Sequence, residues 1–302
     1  STAWQIDAYQ MDIPVMTHPT DAIVSPSSAI EINNQGGLAV LNGEGLWARH
    51  ADPEVAIAEL RDIALEDLTG TRAVARLQEL HRAPINEEYL AAAVRTIRDE
   101  GQTVAVRVSP QRARELTPGL IKAGIDMLVI QGTIISAEHV SGEDEPLNLK
   151  EFIGSLDVPV IAGGVVDYKT ALHLMRTGAA GVIVGFGGAE GVTTTGSVLG
   201  VEIHMATAIA DVAAARRDYL DETGGRYVHV LADGDIYTSG DIARAVACGA
   251  DAVVLGPLLA GALESPGKGV YWDSVSAHPN MPRGLVAETH DETALAPLTE
   301  LL

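Results

Sequence analysis

Short apolar runs recur along the chain, and each ends in or is followed by a turn-forming or polar residue. They are Ile13–Thr17, Leu38–Asn42, Val104–Ser109, Met127–Gln131, Val158–Ala162, Gly181–Gly185, Tyr227–Ala232 and Ala252–Gly256. Their near-continuous apolar character is what strands covered on both faces require. Helical stretches lie between them, among them Pro118–Ala123, Tyr168–Thr177, Thr207–Glu222 and Ser239–Cys248. Several close on one device: Gly124, Gly178 and Gly249 each stand just past the last helical turn, and the next strand starts at once. Repetition of one β/α unit implies parallel strands with right-handed crossovers. Eight such units predict a (β/α)8 TIM barrel, and 302 residues with 47% hydrophobic content supply one large core for it.

Two stretches break the rhythm. Residues 51–100 read as a helical elaboration after the second strand, and residues 265–302 as a loop, flap and tail. Neither has the apolar content of a second domain, so a single domain over 1–302 is expected.

Charge narrows the partners. Twenty basic against 41 acidic side chains give a formal charge of −21, which repels nucleic-acid backbones and anionic lipid. A small anionic ligand stays compatible, because backbone N–H groups hold a phosphate without a basic surface. Cys248 is the single cysteine, which excludes an intrachain disulfide and a multi-cysteine zinc site. No apolar run has membrane-spanning length, no leader pattern is present, and the chain opens at Ser1 without a methionine. A cytoplasmic protein with a trimmed or processed start is the expectation.

In such a barrel the chemistry belongs to the C-terminal strand ends. The candidates there are Thr17 to Asp21, Asn42 to Glu44, Ser109-Pro110, Gln131 to Thr133, Gly163-Gly164, the loop from Gly185 to Thr195, Asp233 to Asp235 and Gly256-Pro257. Strand-end glycines allow close backbone approach to a ligand, and tight turns favour them equally. The glycine-rich run Gly185-Phe186-Gly187-Gly188-Ala189-Glu190 lacks the sixth glycine of a dinucleotide fingerprint, and suits a backbone-exposing loop over the barrel mouth, with Thr193 to Thr195 supplying hydroxyls. Asp233 can accept two hydrogen bonds from a sugar diol. Its alternative role, capping the next helix, falls more naturally to Thr238 or Ser239. Cys248 reads as a small buried hydrophobe, and His173, His204 and His229 as structural, with no carboxylate pairing of a metal site. His18 stands apart because it sits at a strand end.

Read in order, Ile13 to Asp21, Gly36 to Val40, Gly181 to Gly185, the Thr193-Thr194 loop, Ala232-Asp233-Gly234 and Gly249 to Gly256 resemble the IMP dehydrogenases and GMP reductases, most closely the subgroup without paired regulatory CBS domains. The resemblance covers the barrel to about Gly267. It implies a purine nucleoside 5′-monophosphate at the barrel mouth with NAD beside it, IMP oxidation to XMP in GMP biosynthesis, and a homo-oligomer, a tetramer in the family. By position, it implies Asp233 on the ribose diol, backbone N–H groups of Gly234, Ile236 and Gly256 on the phosphate, and Thr17 on the substrate. Gln131, Gly163, Gly164, Gly185 and Gly187 would line the cofactor. The family's loop cysteine, which attacks purine C2, has no counterpart: Val192 or Thr193 takes its place, leaving Thr193 and Thr194 as the hydroxyl candidates. Asp235 replaces a phosphate-loop glycine, Pro257 removes an N–H, Gln131 replaces a carboxylate, and the family's Arg-Tyr flap is missing from 268–302. Two functions therefore stand side by side, an NAD-dependent oxidoreductase of a purine nucleotide and a catalytically impaired nucleotide-binding relative.

Overall fold

The computed structural model describes residues 2–67, 69–132, 147–186, 200, 203–234, 236–280 and 284–302. Strands β1 (Trp4–Ile6) and β2 (Tyr9–Met11) form an antiparallel hairpin that precedes the barrel. Eight parallel strands follow: β3 (Val15–Thr17), β4 (Val40–Asn42), β5 (Ala105–Val108), β6 (Met127–Gln131), β7 (Val160–Val165), β8 (Gly181–Val184), β9 (His229–Ala232) and β10 (Ala252–Leu255). They are hydrogen-bonded in the order β3-β10-β9-β8-β7-β6-β5-β4. The remaining seam, between β3 and β4, closes through the parallel bridge Met16–Leu38 and through Val40 N–H, which donates to Thr17 Oγ1 at 2.8 Å. The expected (β/α)8 barrel is present; seven of the predicted apolar runs contain one of its strands, and the eighth, Val158–Ala162, overlaps the start of β7.

Strand alternation divides the apolar residues into two cores. Met16, Val40, Met127, Val129, Ile161, Ile183, Leu231 and Val254 point into the barrel, where they form one cluster with Trp4, Ile6 and Met11 of the hairpin. Their neighbours Leu41, Leu128, Ile130, Val182, Val230 and Val253 pack outward against the helices. The hairpin thus plugs the barrel interior from one side, a role the apolar pattern did not predict because each of its strands spans only three residues.

The helices are α1 (Pro26–Asn34), α2 (Pro53–Glu66), α3 (Thr71–Leu80), α4 (Glu87–Asp99), α5 (Ala113–Ala123), α6 (Leu149–Gly154), α7 (Tyr168–Met175), α8 (Met205–Thr223), α9 (Ser239–Cys248), α10 (Pro257–Ala260) and α11 (Leu298–Leu301). The 51–100 region consists mainly of α2, α3 and α4, and the C-terminal region holds an antiparallel pair, β11 (Val270–Trp272) with β12 (Val286–Glu288). Gly124 and Gly249 end α5 and α9 with φ of +98° and +117°, the left-handed stop read from the sequence. Thr238 caps α9: Asp241 N–H donates to its Oγ1, and Thr238 N–H donates to Asp241 Oδ2 at 2.9 Å. Replacing Thr238 with alanine is expected to cost about 1 kcal/mol, read as a shift in the urea midpoint without change of slope.

One boundary differs for a steric reason. The predicted run ends at Ala162, before the glycine pair, yet β7 runs through Gly163 and Gly164 to Val165 with a register shift against β8. A Cβ on Gly163 would lie 2.5 Å from Ile183 Cβ, and one on Gly164 would lie 1.9 Å from Gly185 O. These glycines are demanded by the approach of the neighbouring strand.

Candidate active site

The C-terminal strand ends gather a buried polar cluster. Asp233 follows β9, and its N–H donates to Val184 O at 2.7 Å, which fixes the residue between β8 and β9. Its Oδ2 accepts from Gln131 Nε2 at 2.7 Å, from the end of β6 on the far side of the mouth. His18, just past β3, places Nδ1 at 3.4 Å from the same Oδ2 and Nε2 at 2.9 Å from Asp273 Oδ1. Tyr271, on β11, donates its hydroxyl to Asp273 at 3.3 Å. All five side chains are buried.

This arrangement corrects one expectation. His18, like His173, His204 and His229, shows no carboxylate pairing in the sequence of the kind metal ligands have, yet the fold gives it two carboxylate partners, Asp233 and Asp273. Burial opposes its charge, but the Asp273 and Asp233 carboxylates outweigh burial and raise its pKa to about 10. His18 is therefore an imidazolium at neutral pH, tying strand ends of the barrel to the segment after β11. Tyr271 is pushed well above its usual range, first by burial and then by Asp273 and Asp233.

A further group of charged side chains sits toward β4 and β5. Arg107, buried within β5, donates from Nε and Nη2 to Gln131 O at 3.1 and 2.8 Å and places Nη1 at 3.4 Å from Glu44 Oε2. Glu44 in turn accepts from Ser109 Oγ at 3.1 Å. Gln131 is thus held through its backbone by Arg107, while its side chain reaches Asp233. Below them Asp21 Oδ2 accepts from Leu46 N–H at 2.9 Å and lies 3.8 Å from His81 Nε2. Burial raises Asp21 to about 7 against the opposing pull of that N–H and of Arg49, and burial lowers His81 to about 4.

The predicted positions divide as follows. Gln131 and Asp233 are brought into direct contact, and Gly163, Gly164 and Gly185 lie beside them, with Gly185 at φ +97° and its Cα so close to Asp233 O that a Cβ would meet it at 2.2 Å. Gly234 follows Asp233 at φ +156°. Gly256 lies against the Tyr271 hydroxyl, which a Cβ there would meet at 2.5 Å. Ile236 is buried in the outer core. Thr17 is fully buried and spends its Oγ1 on the barrel seam. Gly187, Thr193, Thr194, Val192 and Asp235 lie outside the described residues. His229 packs its ring edge-on against Trp4 and Tyr227 at 5.9 and 5.1 Å. Cys248 is partly buried at the C-terminal end of α9, the end of the barrel opposite the strand C-termini.

Sequence reasoning missed Asp273, Tyr271, Arg107 and the Asp21–His81 pair. A signal existed for Arg107, a lone charge inside the run Val104-Ala105-Val106-Arg107-Val108. None existed for Asp273, whose partner His18 is 255 residues earlier in the chain (273 less 18).

Residues 2–287 match the IMP dehydrogenase / GMP reductase domain. The chain belongs to the IMP dehydrogenase / GMP reductase family. It is 64% identical over 288 residues to an uncharacterized oxidoreductase of Mycobacterium bovis, an alignment covering 95% of this chain and 77% of that protein. An inosine-5′-monophosphate dehydrogenase of Haemophilus influenzae is 38% identical over 155 residues, 51% of this chain and 29% of that protein. The crystal structure of an IMP dehydrogenase/GMP reductase-like protein from Corynebacterium glutamicum superposes with a TM-score of 0.91 at 60% identity, covering 98% of this chain and 76% of that one. Among the described residues, no helix is long and apolar enough to cross a membrane.

Proposed function

We propose that the barrel mouth binds a purine nucleoside 5′-monophosphate with NAD beside it, and that water rather than a cysteine thiol would add at purine C2, the C2–H hydride passing to NAD⁺ and a proton to solvent. The observation that carries this reading is Asp233. It is a buried carboxylate at the C-terminal end of a barrel strand, and Gln131 and His18 occupy only part of its acceptor capacity. The remainder suits the paired hydroxyls of a ribose. Gly234, at φ +156° beside it, suits close approach of a phosphate to backbone in a βα loop where this fold holds phosphates.

Gln131 fits the cofactor. Its Oε1 is buried and has no hydrogen-bond partner among the described residues. A buried amide oxygen left unpaired is costly, and a carboxamide N–H of a nicotinamide would satisfy it. The cofactor supplies hydride acceptance; the chain supplies position, through Arg107 on the Gln131 carbonyl and His18 on Asp233.

A second reading is favoured by the missing thiol. Cys248 lies away from the mouth, and an unactivated hydroxyl such as that of Thr193 or Thr194 is a far poorer nucleophile toward purine C2. The same pocket would then bind its nucleotide without turning it over. A homo-oligomer, tetrameric as in the family, accompanies either reading as a proposal.

The test is to incubate the protein with IMP and NAD⁺ and follow NADH absorbance, alongside calorimetric titration with IMP, GMP and NAD(H). Binding with turnover supports the oxidoreductase, binding without turnover supports the second reading, and absence of heat from every nucleotide defeats both. Asp233→Ala is expected to weaken nucleotide binding by at least about a hundredfold, two to three kcal/mol for a lost charged hydrogen-bond acceptor, with the fold retained by circular dichroism.

A further inference from the structure

A cavity of about 380 Å³ opens beside the barrel mouth, between the loops after β4 and β5 on one side and residues 274–279 on the other. Among the described residues its lining includes Arg49, Arg107 and Arg112 against a single carboxylate, Glu44. Among the described residues that is a local excess of two positive charges (three less one) in a chain whose net charge is −21. The excess is sharper than the count suggests, because Glu44 is already engaged by Arg107 and by Ser109.

The two other guanidinium groups retain donors. Arg49 spends Nε on Glu44 O at 2.8 Å and Nη1 on Ala83 O. Arg112 spends Nη1 on Glu115 at 2.9 Å. Nη2 of both has no other partner among the described residues. The groups also repel one another: burial lowers the Arg49 pKa, Glu44 opposes that, and the charge of Arg112 lowers it further. Like charges gathered around a cleft favour an anion between them.

His81 supplies the independent observation. It reaches the cavity from the C-terminal end of α3, in the helical elaboration that the barrel itself does not require. Its Nδ1 lies 2.9 Å from Leu77 O, so Nδ1–H is the donor and Nε2 the acceptor. That Nε2 is fully buried and has no hydrogen-bond partner among the described residues. A phosphate monoanion brings both things the cavity lacks, acceptor oxygens for the guanidinium forks and one O–H for the imidazole nitrogen.

The geometry points to this cavity as a phosphate-binding subsite, formed by Arg49, Arg112 and His81, for a phosphorylated small molecule. Its volume lies within the range of about 300–1,000 Å³ usual for small-molecule sites, larger than a bare ion needs. Two sources could bring the phosphate, a free phosphorylated metabolite or a dinucleotide with an extra phosphate on its ribose. The site is argued from its own residues and stands apart from the reading of the barrel mouth.

Calorimetric titration of the whole chain with inorganic phosphate, NAD⁺ and NADP⁺, in the wild type and in Arg112→Gln and Arg49→Gln, tests it. Phosphate is expected to bind the wild type, with at least a tenfold loss in Arg112→Gln. Arg112 is about half exposed, and removing its charge leaves the core untouched, which a melting curve checks for both variants. NADP⁺ binding at least tenfold tighter than NAD⁺, with the difference erased by Arg112→Gln, assigns the phosphate to a dinucleotide. Equal binding of the two with phosphate binding retained assigns it to a free metabolite. Absence of phosphate binding, or affinity within twofold of wild type in both variants, overturns the proposal. IMP titrated into the same proteins separates the two readings: loss of IMP binding with phosphate binding intact sinks only the nucleotide reading of the mouth.

Discussion

Replacing His18 with alanine is expected to cost about 3–5 kcal/mol of folding stability at pH 7, the range for removing one partner of a buried ion pair. The imidazolium lies between Asp273 at 2.9 Å and Asp233 at 3.4 Å, with all three side chains buried. Without it two carboxylates face one another across a space that water enters poorly, and each loses its compensating charge. His18→Gln keeps a donor for one of them and is expected to recover part of the loss. The pH dependence distinguishes a charge effect from a packing effect. His18 has a folded pKa of about 10 against an ordinary 6.5. A raised pKa means that the native state holds the proton more tightly, so its stabilisation is complete below pH 6.5 and is lost as pH rises through 10. Urea midpoints of the wild type should therefore fall between pH 6.5 and 10, and those of His18→Ala should fall much less over that window. Parallel pH profiles for the two proteins would show that His18 acts by filling space alone.

The same contact bears on function. Asp233 is held by His18 and by Gln131, so loss of His18 frees the carboxylate to rotate. Nucleotide affinity should drop in His18→Ala by about tenfold or more, roughly one lost charge-assisted constraint. His18 acts here as a positioning residue, and partial rescue of affinity by His18→Gln is the readout that a purely structural role would not give.

The barrel was legible because both faces of its strands are buried, which converts period-two alternation into unbroken runs such as Met127–Ile130 and Ala252–Leu255. Asp233 and Gln131 were legible for a related reason: a polar residue that ends an apolar strand has few structural explanations. The glycines after Ala162 misled, since a glycine that admits a neighbouring strand looks the same in sequence as one that makes a turn. The hairpin before the barrel was missed because two three-residue strands are too short to show a period. The charge partners were beyond reach altogether. His18 meets Asp273, and Asp21 meets His81, through chain crossings that no local spacing encodes, and the cluster assembled from them is what separates this mouth from a generic barrel end. The loop with Thr193 and Thr194 lies outside the described residues, so its chemistry rests on the absent cysteine alone.

Asp21 should dominate the acid side of the stability profile as His18 dominates the alkaline side. Its carboxyl is buried, with Oδ2 accepting from Leu46 N–H and Oδ1 unpartnered among the described residues. Burial raises its pKa from 3.8 to about 7, despite that N–H and Arg49. Ionising it in the folded protein is therefore unfavourable, and the sign follows. The native state binds the proton more tightly, so stability is greatest below pH 3.8 as far as this group is concerned and is lost as pH rises through 7. A shift of that size corresponds to about 4 kcal/mol between the two limits. Asp21→Asn keeps an oxygen for Leu46 N–H and cannot ionise, and its amide can donate to the neutral His81 Nε2, which lies 3.8 Å from Asp21 Oδ2. At pH 8 the variant is expected to be more stable than the wild type by about 1–4 kcal/mol, and near pH 4 the two should coincide. Chemical denaturation at the two pH values decides it. Equal stability at pH 8 would mean that Asp21 keeps its charge at little cost, through a compensating cation in the neighbouring arginine-lined cavity. A large gain would make Asp21 a residue held against the interest of the fold, which is the pattern of a side chain kept for function.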